Sequence, residues 1–364
     1  MKRSSTHMNP IVVKIGSQAL FKDGVLDLKH IEQLIFQIIE LIESKYPVCL
    51  VSSGAVAVGN FLTKDTHLQF QDHIQKRQVL ASIGQPYLMS LYINILKKFN
   101  YYPAQILLNR EDFRSCMHYE NIRRALMGVL GGEKIIPILN ENDTTTLTNL
   151  MFTDNDELAS LVAGIVEAQR LILLTSTDGI YDRPPEEEGA VLIPHISIEE
   201  STKNIRLDGK TTMGRGGMIS KLSSCKKAAS LGVITHIANA REKNVLMRLV
   251  KNQESLGTVI TGSCHLKGVK RWLSYSPTPP CSIIVDNNLK LRLLNNTLVS
   301  SILPIGVLKV IGDFQKDDII AIKDVDNTTL GLGLSEYSSD DLKSYLGTYN
   351  QKPITRYEKM FIKS

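Results

Sequence analysis

The stretch Ile135–Ser160, IIPILNENDTTTLTNLMFTDNDELAS, connects an apolar run to a helical pattern through a long polar segment. The apolar residues Ile135–Leu139 predict a buried strand, and the apolar spacing of residues 157–163 predicts a helix. In open α/β sheets, ligands bind at the carboxyl ends of the strands. A solvated turn with capping Asp and Asn residues is the alternative interpretation. The polar segment otherwise predicts a binding site, whose candidates are Asp143, Asp154, Asn155 and Asp156.

The same alternation of strand and helix repeats along the first two thirds of the chain. Helical spacing is found over residues 30–45, 73–99 and 119–130, and Gly84 and Pro86 predict a break or kink in the second of these helices. Strands separated by helices favour an α/β fold with a mainly parallel sheet sandwiched by helices. The further predicted strands are Ile11–Ile15, Val48–Val51, Ala104–Leu108 and Leu171–Leu174.

Two lysines and two segments rich in small residues accompany these strands. Lys14 lies inside an apolar strand, where burial of its ammonium is costly without an anionic partner. An edge-strand lysine that faces water is the alternative. The segments Ser52–Gly59 and Met213–Lys221 would open helices with exposed backbone N–H groups, an arrangement that holds anions. Lys221 is thus a second cation for anionic ligand chemistry.

Length and composition favour a protein of about two domains. The chain has 364 residues, of which 43% are hydrophobic and 22% are charged, and its net charge is +5. This charge is spread without a long basic block, which is compatible with an anionic ligand and leaves nucleic acid open.

Cysteine usage and hydropathy predict a cytoplasmic protein without membrane association. The five cysteines are far apart and form no CxxC pair, which favours free thiols over disulfides or a zinc site. No apolar run approaches the roughly 18 residues that a membrane helix needs. The first residues, MKRSSTHMNP, lack the apolar core of a signal peptide.

The character of the chain changes near Trp272. A proline-rich connector, Ser274–Pro280, precedes short strand-like segments separated by turns, at 282–285, 306–311, 319–322 and 329–334. We therefore expect a first domain at residues 1–265, a linker at 266–280 and a small β-rich module at 281–364.

Several familiar catalytic patterns are missing from the sequence. Gly209–Thr211 resembles the end of a Walker A loop, but Asn204 stands where that motif requires glycine. The histidines show no HExxH pairing and no GxSxG motif occurs, which argues against a zinc hydrolase or a serine hydrolase. We predict no protein-bound metal centre. Two lysines, glycine-rich loops and an acidic, amide-bearing loop instead suit phosphoryl transfer, which depends on positioning and charge neutralisation.

Five motifs follow one another along the chain: Val13–Ser17, Val51–Ala55, Asn140–Asp143, Asp154–Asp156, and Gly216–Met218 with Lys221. In this order they resemble the glutamate 5-kinases, a family of the amino-acid kinase superfamily. The C-terminal part, from Lys270-Arg271-Trp272 to Gly331–Ser335, is similar to a PUA domain. The resemblance covers essentially the whole chain and implies an amino-acid kinase fold followed by a small β-rich barrel.

This resemblance implies an enzyme that transfers a phosphoryl group from ATP, with Mg²⁺, to the γ-carboxylate of L-glutamate, the first step of proline biosynthesis. By motif position, Lys14 and Lys221 would neutralise the moving phosphoryl group, and Asp156 would hold both ammonium groups. The glutamate-binding positions would be Ser53, Asp143 and Asn155. The ATP-binding positions would be Lys14, Gly16, Ser17, Gly54, Thr175, Ser176, Asp178, Arg215, Gly216, Gly217, Met218, Ile219, Ser220 and Lys221.

Three residues depart from the family pattern. Ser176 replaces a common Asp, Arg215 replaces a common Thr, and Pro184 replaces an acidic residue. Each bears on nucleotide binding, while both lysines and the acceptor residues are kept.

Two other functions stay open from the sequence. One is an amino-acid kinase for another acceptor, such as acetylglutamate, aspartate or a nucleoside monophosphate. The other is an RNA-binding or regulatory protein with an inactive kinase domain, because PUA modules resemble RNA binders. The resemblance further implies a homo-oligomer, either a dimer or a tetramer.

Overall fold

The computed structural model divides into two compact units, one of residues 1–110 and 123–264 and the other of residues 111–122 and 265–364. Residues 9–113, 116–145, 154–198, 217–262, 268–276, 278–295 and 300–362 are described. The domain boundaries expected from the sequence stay a prediction. A helix of the second unit, Gly268–Tyr275, occupies part of the expected linker.

An eight-stranded sheet forms the centre of the first unit. The strand order is β10-β12-β11-β7-β1-β4-β6-β5, and every neighbouring pair is parallel except β11 with β12. The sequence prediction of a mainly parallel sheet is therefore confirmed. Outside this sheet, β2 pairs with β3 and β8 with β9 in two small two-stranded sheets. The described strands of the first unit are β1 (Ile11–Ile15), β2 (Phe21–Lys22), β3 (Val25–Leu26), β4 (Val48–Ser52), β5 (Tyr102–Leu108), β6 (Ile135–Glu141), β7 (Arg170–Thr175), β8 (Ile180–Tyr181), β9 (Leu192–Ile193), β10 (His195–Ser197), β11 (Ile234–Asn239) and β12 (Thr258–Thr261).

Strand β1 lies in the middle of this sheet, between β4 and β7. Lys14 pairs in register with Val51 on one side and Leu173 on the other, and only 5% of the residue is exposed. The alternative of an edge-strand lysine facing water is therefore wrong. Burial of this cation requires a partner of opposite charge.

Helices cover the sheet, and each is amphipathic or buried according to its position. Helix α1 places Ile31, Leu34, Ile35 and Ile38 in the core at the predicted helical spacing. The helices are α1 (Leu28–Glu43), α2 (Ala55–Leu62), α3 (His73–Lys97), α4 (Cys116–Leu130), α5 (Asn155–Ile165), α6 (Met218–Ala229) and α7 (Val245–Val250).

Helix α3 is one continuous helix through Gly84 and Pro86, so a break at these residues is wrong. Gly84 instead permits a close approach to α2: a Cβ atom there would lie 1.8 Å from the carbonyl oxygen of Ala55. Gly59 of α2 is equally close, since its Cβ would lie 1.9 Å from the carbonyl oxygen of Leu80. The two glycines therefore let two helix backbones touch, which no other residue permits.

Among the described helices, α3 is long and apolar enough to cross a membrane by length and composition. Its residues Leu80, Leu88, Tyr92 and Leu96 are nevertheless buried in the first unit. The core helix of a soluble protein passes the same test, so the cytoplasmic location remains a prediction.

Cys49, Cys225 and Cys281 are buried free thiols, as the spacing predicts. Burial raises the pKa of Cys49 to about 12. These thiols are therefore protonated packing residues.

The second unit contains a five-stranded mixed sheet in the order β14-β13-β15-β16-β17. Trp272 is buried there, with its ring centroid 5.2 Å from that of Tyr119. The predicted β-rich character of this part is confirmed. Its elements are α8 (Gly268–Tyr275), β13 (Ser282–Val285), α9 (Asn287–Leu294), β14 (Val307–Ile311), β15 (Ile319–Lys323), β16 (Thr329–Leu334), α10 (Ser339–Tyr345) and β17 (Met360–Ile362).

Candidate active site

Asp156 joins the two lysines that the sequence singles out. Its Oδ1 lies 2.6 Å from Lys14 Nζ, and its Oδ2 accepts a hydrogen bond of 2.6 Å from Lys221 Nζ. The side chain of Asp156 is completely buried, and those of Lys14 and Lys221 are 6% and 17% exposed. Residues from β1, α5 and α6, far apart in the chain, thus form one charged cluster with a net charge of +1.

The cluster keeps its charges because its members compensate one another. Burial alone raises the pKa of Asp156, but the two ammonium groups outweigh it and lower that pKa to about 2. For Lys14, burial and the nearby Lys221 lower the pKa, and Asp156 only partly offsets them. For Lys221, burial lowers the pKa, but the contacts with Asp156 outweigh it and raise the pKa overall.

Asp154 fixes the start of α5, and so the position of Asp156. Its Oδ1 accepts hydrogen bonds of 3.0 Å from the backbone N–H groups of Asp156 and Glu157, which is the usual N-cap arrangement. Its Oδ2 accepts a hydrogen bond of 2.6 Å from Ser220 Oγ at the start of α6. One carboxylate therefore ties together the two helices that carry Asp156 and Lys221.

Two glycines make room beside the cluster. Gly54 precedes α2 with a φ of 107°, and a Cβ there would lie 2.5 Å from Leu20 Cδ1, so glycine suits this position on two counts. A Cβ at Gly16 would lie 3.5 Å from Lys14 Nζ. Helix α6 begins after Gly217, where no side chain caps it among the described residues. The starts of α2 and α6 therefore offer N–H groups for an anion.

Asn155 and Ser53, two predicted substrate residues, contact each other. Asn155 Nδ2 donates to Ser53 Oγ at 3.0 Å and to Asn140 Oδ1 at 2.8 Å. Asn140 Nδ2 in turn donates to Gln85 Oε1 of α3 at 2.8 Å. This chain of amides fixes the side-chain orientation of Asn155 from β6 and α3.

Asp143, the third predicted substrate residue, is paired with an arginine of α3. Arg77 Nε donates to Asp143 Oδ1 at 2.7 Å, and Arg77 Nη2 contacts the same oxygen. Nη2 also donates to Glu141 Oε2 at 2.7 Å. Asp143 thus belongs to a buried group of two carboxylates and one guanidinium.

The residues expected to border the nucleotide lie at the carboxyl ends of β1 and β7 or directly after them. Ser176 Oγ donates to Gln18 Oε1 at 2.6 Å, and Asp178 Oδ1 accepts from Asn239 Nδ2 at 2.8 Å. Thr175 Oγ1 accepts from the backbone N–H of Thr177 at 2.9 Å. Ser17 begins a short 3-10 turn directly after β1.

The remaining expected nucleotide residues divide between the start of α6 and residues that are not described. Gly217 is the N-cap of α6, Met218 and Ile219 form its first turn, and Ser220 bonds to Asp154. Arg215 and Gly216 lie outside the described residues.

Comparison with known proteins identifies the family of this chain. A model of the amino acid kinase family matches residues 9–239, and a model of the PUA domain matches residues 282–355. A glutamate 5-kinase of Bacteroides thetaiotaomicron is 34% identical over 97% of this chain and 98% of that protein. Another, of Chlorobaculum tepidum, is 33% identical over 98% of this chain and 99% of that protein. The chain belongs to the glutamate 5-kinase family. The family resemblance read from the motifs is thereby confirmed.

Among solved structures, the UMP kinase of Ureaplasma parvum is similar to this family member over 70% of the chain and 99% of that protein, with 18% identity and a TM-score of 0.47.

The sequence did not predict Arg77, Gln85 and Asn239 as parts of this candidate active site, and it assigned no role to Asn140. Asn239 is the last residue of β11 and Asn140 the last but one of β6, and the carboxyl end of a strand is a position where a ligand site is expected. Arg77 and Gln85 lie inside a long helix and reach the site only through packing. No local pattern in the sequence distinguishes them from other polar residues of that helix.

Within the part of the chain that the structure describes, no group of three or more His, Cys, Asp or Glu side chains is arranged to hold a metal ion. Both oxygens of Asp156 are already engaged by ammonium groups. The charged centre of this family member is therefore cationic and suits an anionic ligand.

Proposed function

We propose that this protein transfers the terminal phosphoryl group of ATP to the γ-carboxylate of L-glutamate and releases γ-glutamyl phosphate, the first step of proline biosynthesis. The observation that carries the proposal is the buried Asp156, which holds two lysine ammonium groups 2.6 Å from its two oxygens at the carboxyl edge of the sheet. The name of the relatives, glutamate 5-kinase, supports the same acceptor.

Lys14 and Lys221 would neutralise the phosphoryl group while it moves. Phosphoryl transfer spreads negative charge over the peripheral oxygens, and preorganised cations stabilise that charge without reorganisation. Asp156 holds both ammonium groups in position. Its contacts raise the pKa of Lys221 overall and partly offset the lowering of the pKa of Lys14 by burial and Lys221. A carboxylate acceptor is already ionised near neutral pH, so the reaction requires no general base.

ATP would bind with its phosphates near the starts of α2 and α6. Gly54 and Gly217 leave backbone N–H groups there without a side-chain cap, which suits phosphate oxygens. Ser17, Thr175, Ser176 and Asp178 would border the rest of the nucleotide. Mg²⁺ would bind mainly through the phosphates of ATP, because Asp156 is occupied by lysines.

Glutamate would bind on the other side of the cluster, beside α5. Asn155 directly precedes Asp156 in the sequence and contacts Ser53. Both residues would therefore bind the carboxylate of glutamate that accepts the phosphoryl group. Asp143 suits the α-ammonium of the substrate as an anionic acceptor. An acylated amine would not need such a partner, which favours glutamate over acetylglutamate.

The C-terminal unit would contribute a binding function rather than chemistry. Its match to the PUA domain favours structured RNA as a partner. We further propose a homo-oligomer, a dimer or a tetramer, and a cytoplasmic location.

The acceptor is tested by incubation of the purified chain with ATP, Mg²⁺ and one candidate acceptor at a time. Hydroxylamine traps an acyl phosphate as the hydroxamate, and we expect a signal with L-glutamate. A signal with acetylglutamate or aspartate and none with glutamate would assign the kinase to another acceptor. Release of ADP with a nucleoside monophosphate alone would do the same.

A regulatory RNA-binding protein with an inactive kinase unit is the second candidate, and the PUA match is the observation that favours it. Titration of structured RNA at several salt concentrations separates the two functions. Tight, strongly salt-dependent binding without any ATP turnover would replace the kinase proposal by this one.

A further inference from the structure

The hydroxyl of Ser53 lies at the end of a chain of amides that starts on helix α3. We propose that Gln85, on that helix, is a positioning residue that commits the Ser53 hydroxyl to donate its hydrogen to the accepting carboxylate of glutamate. It acts through the amides of Asn140 and Asn155. The inference rests on the proposed function, because it concerns how the same site recognises its acceptor.

The direction of the Asn140 amide is set by a backbone group. The backbone N–H of Glu141 donates to Asn140 Oδ1 at 2.9 Å, and a backbone N–H can only donate. Nδ2 of Asn140 therefore points to Gln85, where it donates to Oε1 at 2.8 Å. Gln85 thus supplies the acceptor that this orientation of Asn140 requires.

The direction of the Asn155 amide follows from that of Asn140. Asn155 Nδ2 donates to Asn140 Oδ1 at 2.8 Å and to Ser53 Oγ at 3.0 Å. The reverse orientation would bring Oδ1 of Asn155 to Oδ1 of Asn140, two acceptors without a hydrogen between them. Both N–H groups of the Asn155 amide are therefore donated inside the protein.

This arrangement decides what the Ser53 hydroxyl can do. A serine hydroxyl has one hydrogen and two lone pairs, and Ser53 Oγ already accepts from Asn155. Its hydrogen has no acceptor within the part of the chain that the structure describes. Ser53 is only half-buried and follows β4 at the carboxyl edge of the sheet. The hydroxyl is therefore a donor for an anionic group of a ligand, and Asn155 binds the carboxylate of glutamate through Ser53.

The backbone of Ser53 is held independently of Gln85. Its N–H donates to the carbonyl oxygen of Ile15 at 3.0 Å, and its carbonyl oxygen accepts from Ser52 Oγ at 3.1 Å. Because Ser52 has one hydroxyl hydrogen, the contact of 2.7 Å between its Oγ and the hydroxyl of Tyr92 is a bond that the tyrosine donates. Loss of Gln85 should then change the direction of the Ser53 hydroxyl and leave the residue in place.

The test is a series of side chains of similar length in place of Gln85. Gln85→Glu keeps an acceptor, Gln85→Met offers at most a weak one, and Gln85→Lys offers only donors. KM for glutamate, measured from hydroxamate formation, should rise by about three- to tenfold in Gln85→Met, as for the loss of one hydrogen bond. It should lie closer to the wild type in Gln85→Glu and rise further in Gln85→Lys. KM for ATP should stay within about twofold, because the role concerns only the acceptor.

A double-mutant cycle tests whether Gln85 acts through Ser53. In the Ser53→Ala protein, the addition of Gln85→Met should change KM for glutamate by less than about twofold, because the hydroxyl that Gln85 directs is gone. The rise of Tm with added glutamate reports the same binding in variants whose turnover is too low for kinetics.

Gln75→Met is the matched control, because it makes the same substitution in the first turn of the same helix. The side-chain oxygen of Gln75 accepts from the backbone N–H of Gln71 at 2.7 Å. Its KM values should equal those of the wild type. Circular dichroism and thermal unfolding verify that each variant is folded, and Gln85→Glu with Gln85→Met decide the test if Gln85→Lys does not fold.

Three results would overturn the inference. They are an unchanged KM for glutamate in folded Gln85→Met, a Gln85→Glu protein that binds glutamate as weakly as Gln85→Met, and equal effects of Gln85→Met with and without the Ser53 hydroxyl. The wild-type assay separates this failure from a failure of the proposed function. A wild-type protein that forms no γ-glutamyl phosphate refutes the function, whereas an active wild type with unaffected Gln85 variants refutes only the role of Gln85.

Discussion

Replacement of Asp156 by Asn removes the central charge of the Lys14–Asp156–Lys221 cluster and keeps its shape. The carboxylate is completely buried and lies 2.6 Å from both ammonium groups. An amide can accept a hydrogen bond from one lysine through its oxygen but presents its NH₂ group to the other. One lysine would therefore lose its partner, and both would lose the opposite charge.

The structure sets the size of the effect. Removal of one member of a buried ion pair leaves an uncompensated charge and costs about 3–5 kcal/mol. Burial and Lys221 already lower the pKa of Lys14, and Asp156 is the main group that raises it. Without Asp156, the pKa of Lys14 falls further, so its charge is lost at a lower pH. Loss of one preorganised charge contact lowers kcat by on the order of 10²–10³.

The assay follows hydroxamate formation from glutamate over a range of pH, together with thermal unfolding. Asp156→Asn should lower kcat as stated and shift the basic limb of the pH profile to lower pH. Glu157→Gln is the matched control, because it changes the next carboxylate of α5, which pairs with Arg110 at 2.7 Å rather than with the two lysines. A folded Asp156→Asn protein with near-normal kcat, or with an unmoved basic limb, would refute the reasoning.

The remaining predictions concern the lysines, the helix contact and a buried histidine. Lys14→Met and Lys221→Met should each lower kcat by on the order of 10² or more, and a folded variant with normal turnover would contradict the assigned role. Gly84→Ala would place a Cβ 1.8 Å from the carbonyl oxygen of Ala55 and so displace α2. We expect a loss of about 1–3 kcal/mol in the free energy of unfolding and a lower turnover. The control is Gly128→Ala, where a Cβ would meet open space; equal thermal shifts in both variants would count against the contact. Burial and, second, the charge of Arg170 lower the pKa of His236 to about 4. Between pH 6.5 and about 4 the unfolded chain therefore binds a proton at this residue that the folded protein does not bind. The free energy of unfolding falls as the pH falls through this range. His236→Gln should remove up to about 3 kcal/mol of that pH dependence, and an unchanged slope of unfolding free energy against pH would exclude it.

The strands and most helices follow from local sequence patterns. Short apolar runs such as Ile11–Ile15 and Ile135–Leu139 form strands, and α1 follows its helical spacing. These patterns succeed because burial of one face determines the period of the apolar residues. The predicted break of α3 is wrong because Gly84 serves the close contact of α3 with α2. The sequence around Gly84 carries no information about that contact.

The candidate site was predicted through its motifs, and its supporting contacts were not. Asp156 was implied by the motifs as the partner of Lys14 and Lys221. The bond of Asp154 with Ser220 and the chain of amides from Gln85 to Asn155 were not, because they join parts of the chain that are remote in sequence. Arg77 and Gln85 carry no signature of their own, since a polar residue inside a long helix most often faces water. Their roles depend on which face of α3 meets β6, and tertiary packing decides that.

By itself, the sequence determined the class of fold, the family and the residues that carry charge to the carboxyl edge of the sheet. The spacing of apolar residues and the short motifs predict these features because the backbone geometry of a helix or strand fixes which neighbouring side chains share a face. The tertiary structure alone decided that Asn140 and Gln85 orient Asn155 and that Arg77 contacts both Glu141 and Asp143. The physical reason is that buried charges are stable only beside opposite charges, and those neighbours come from distant parts of the chain.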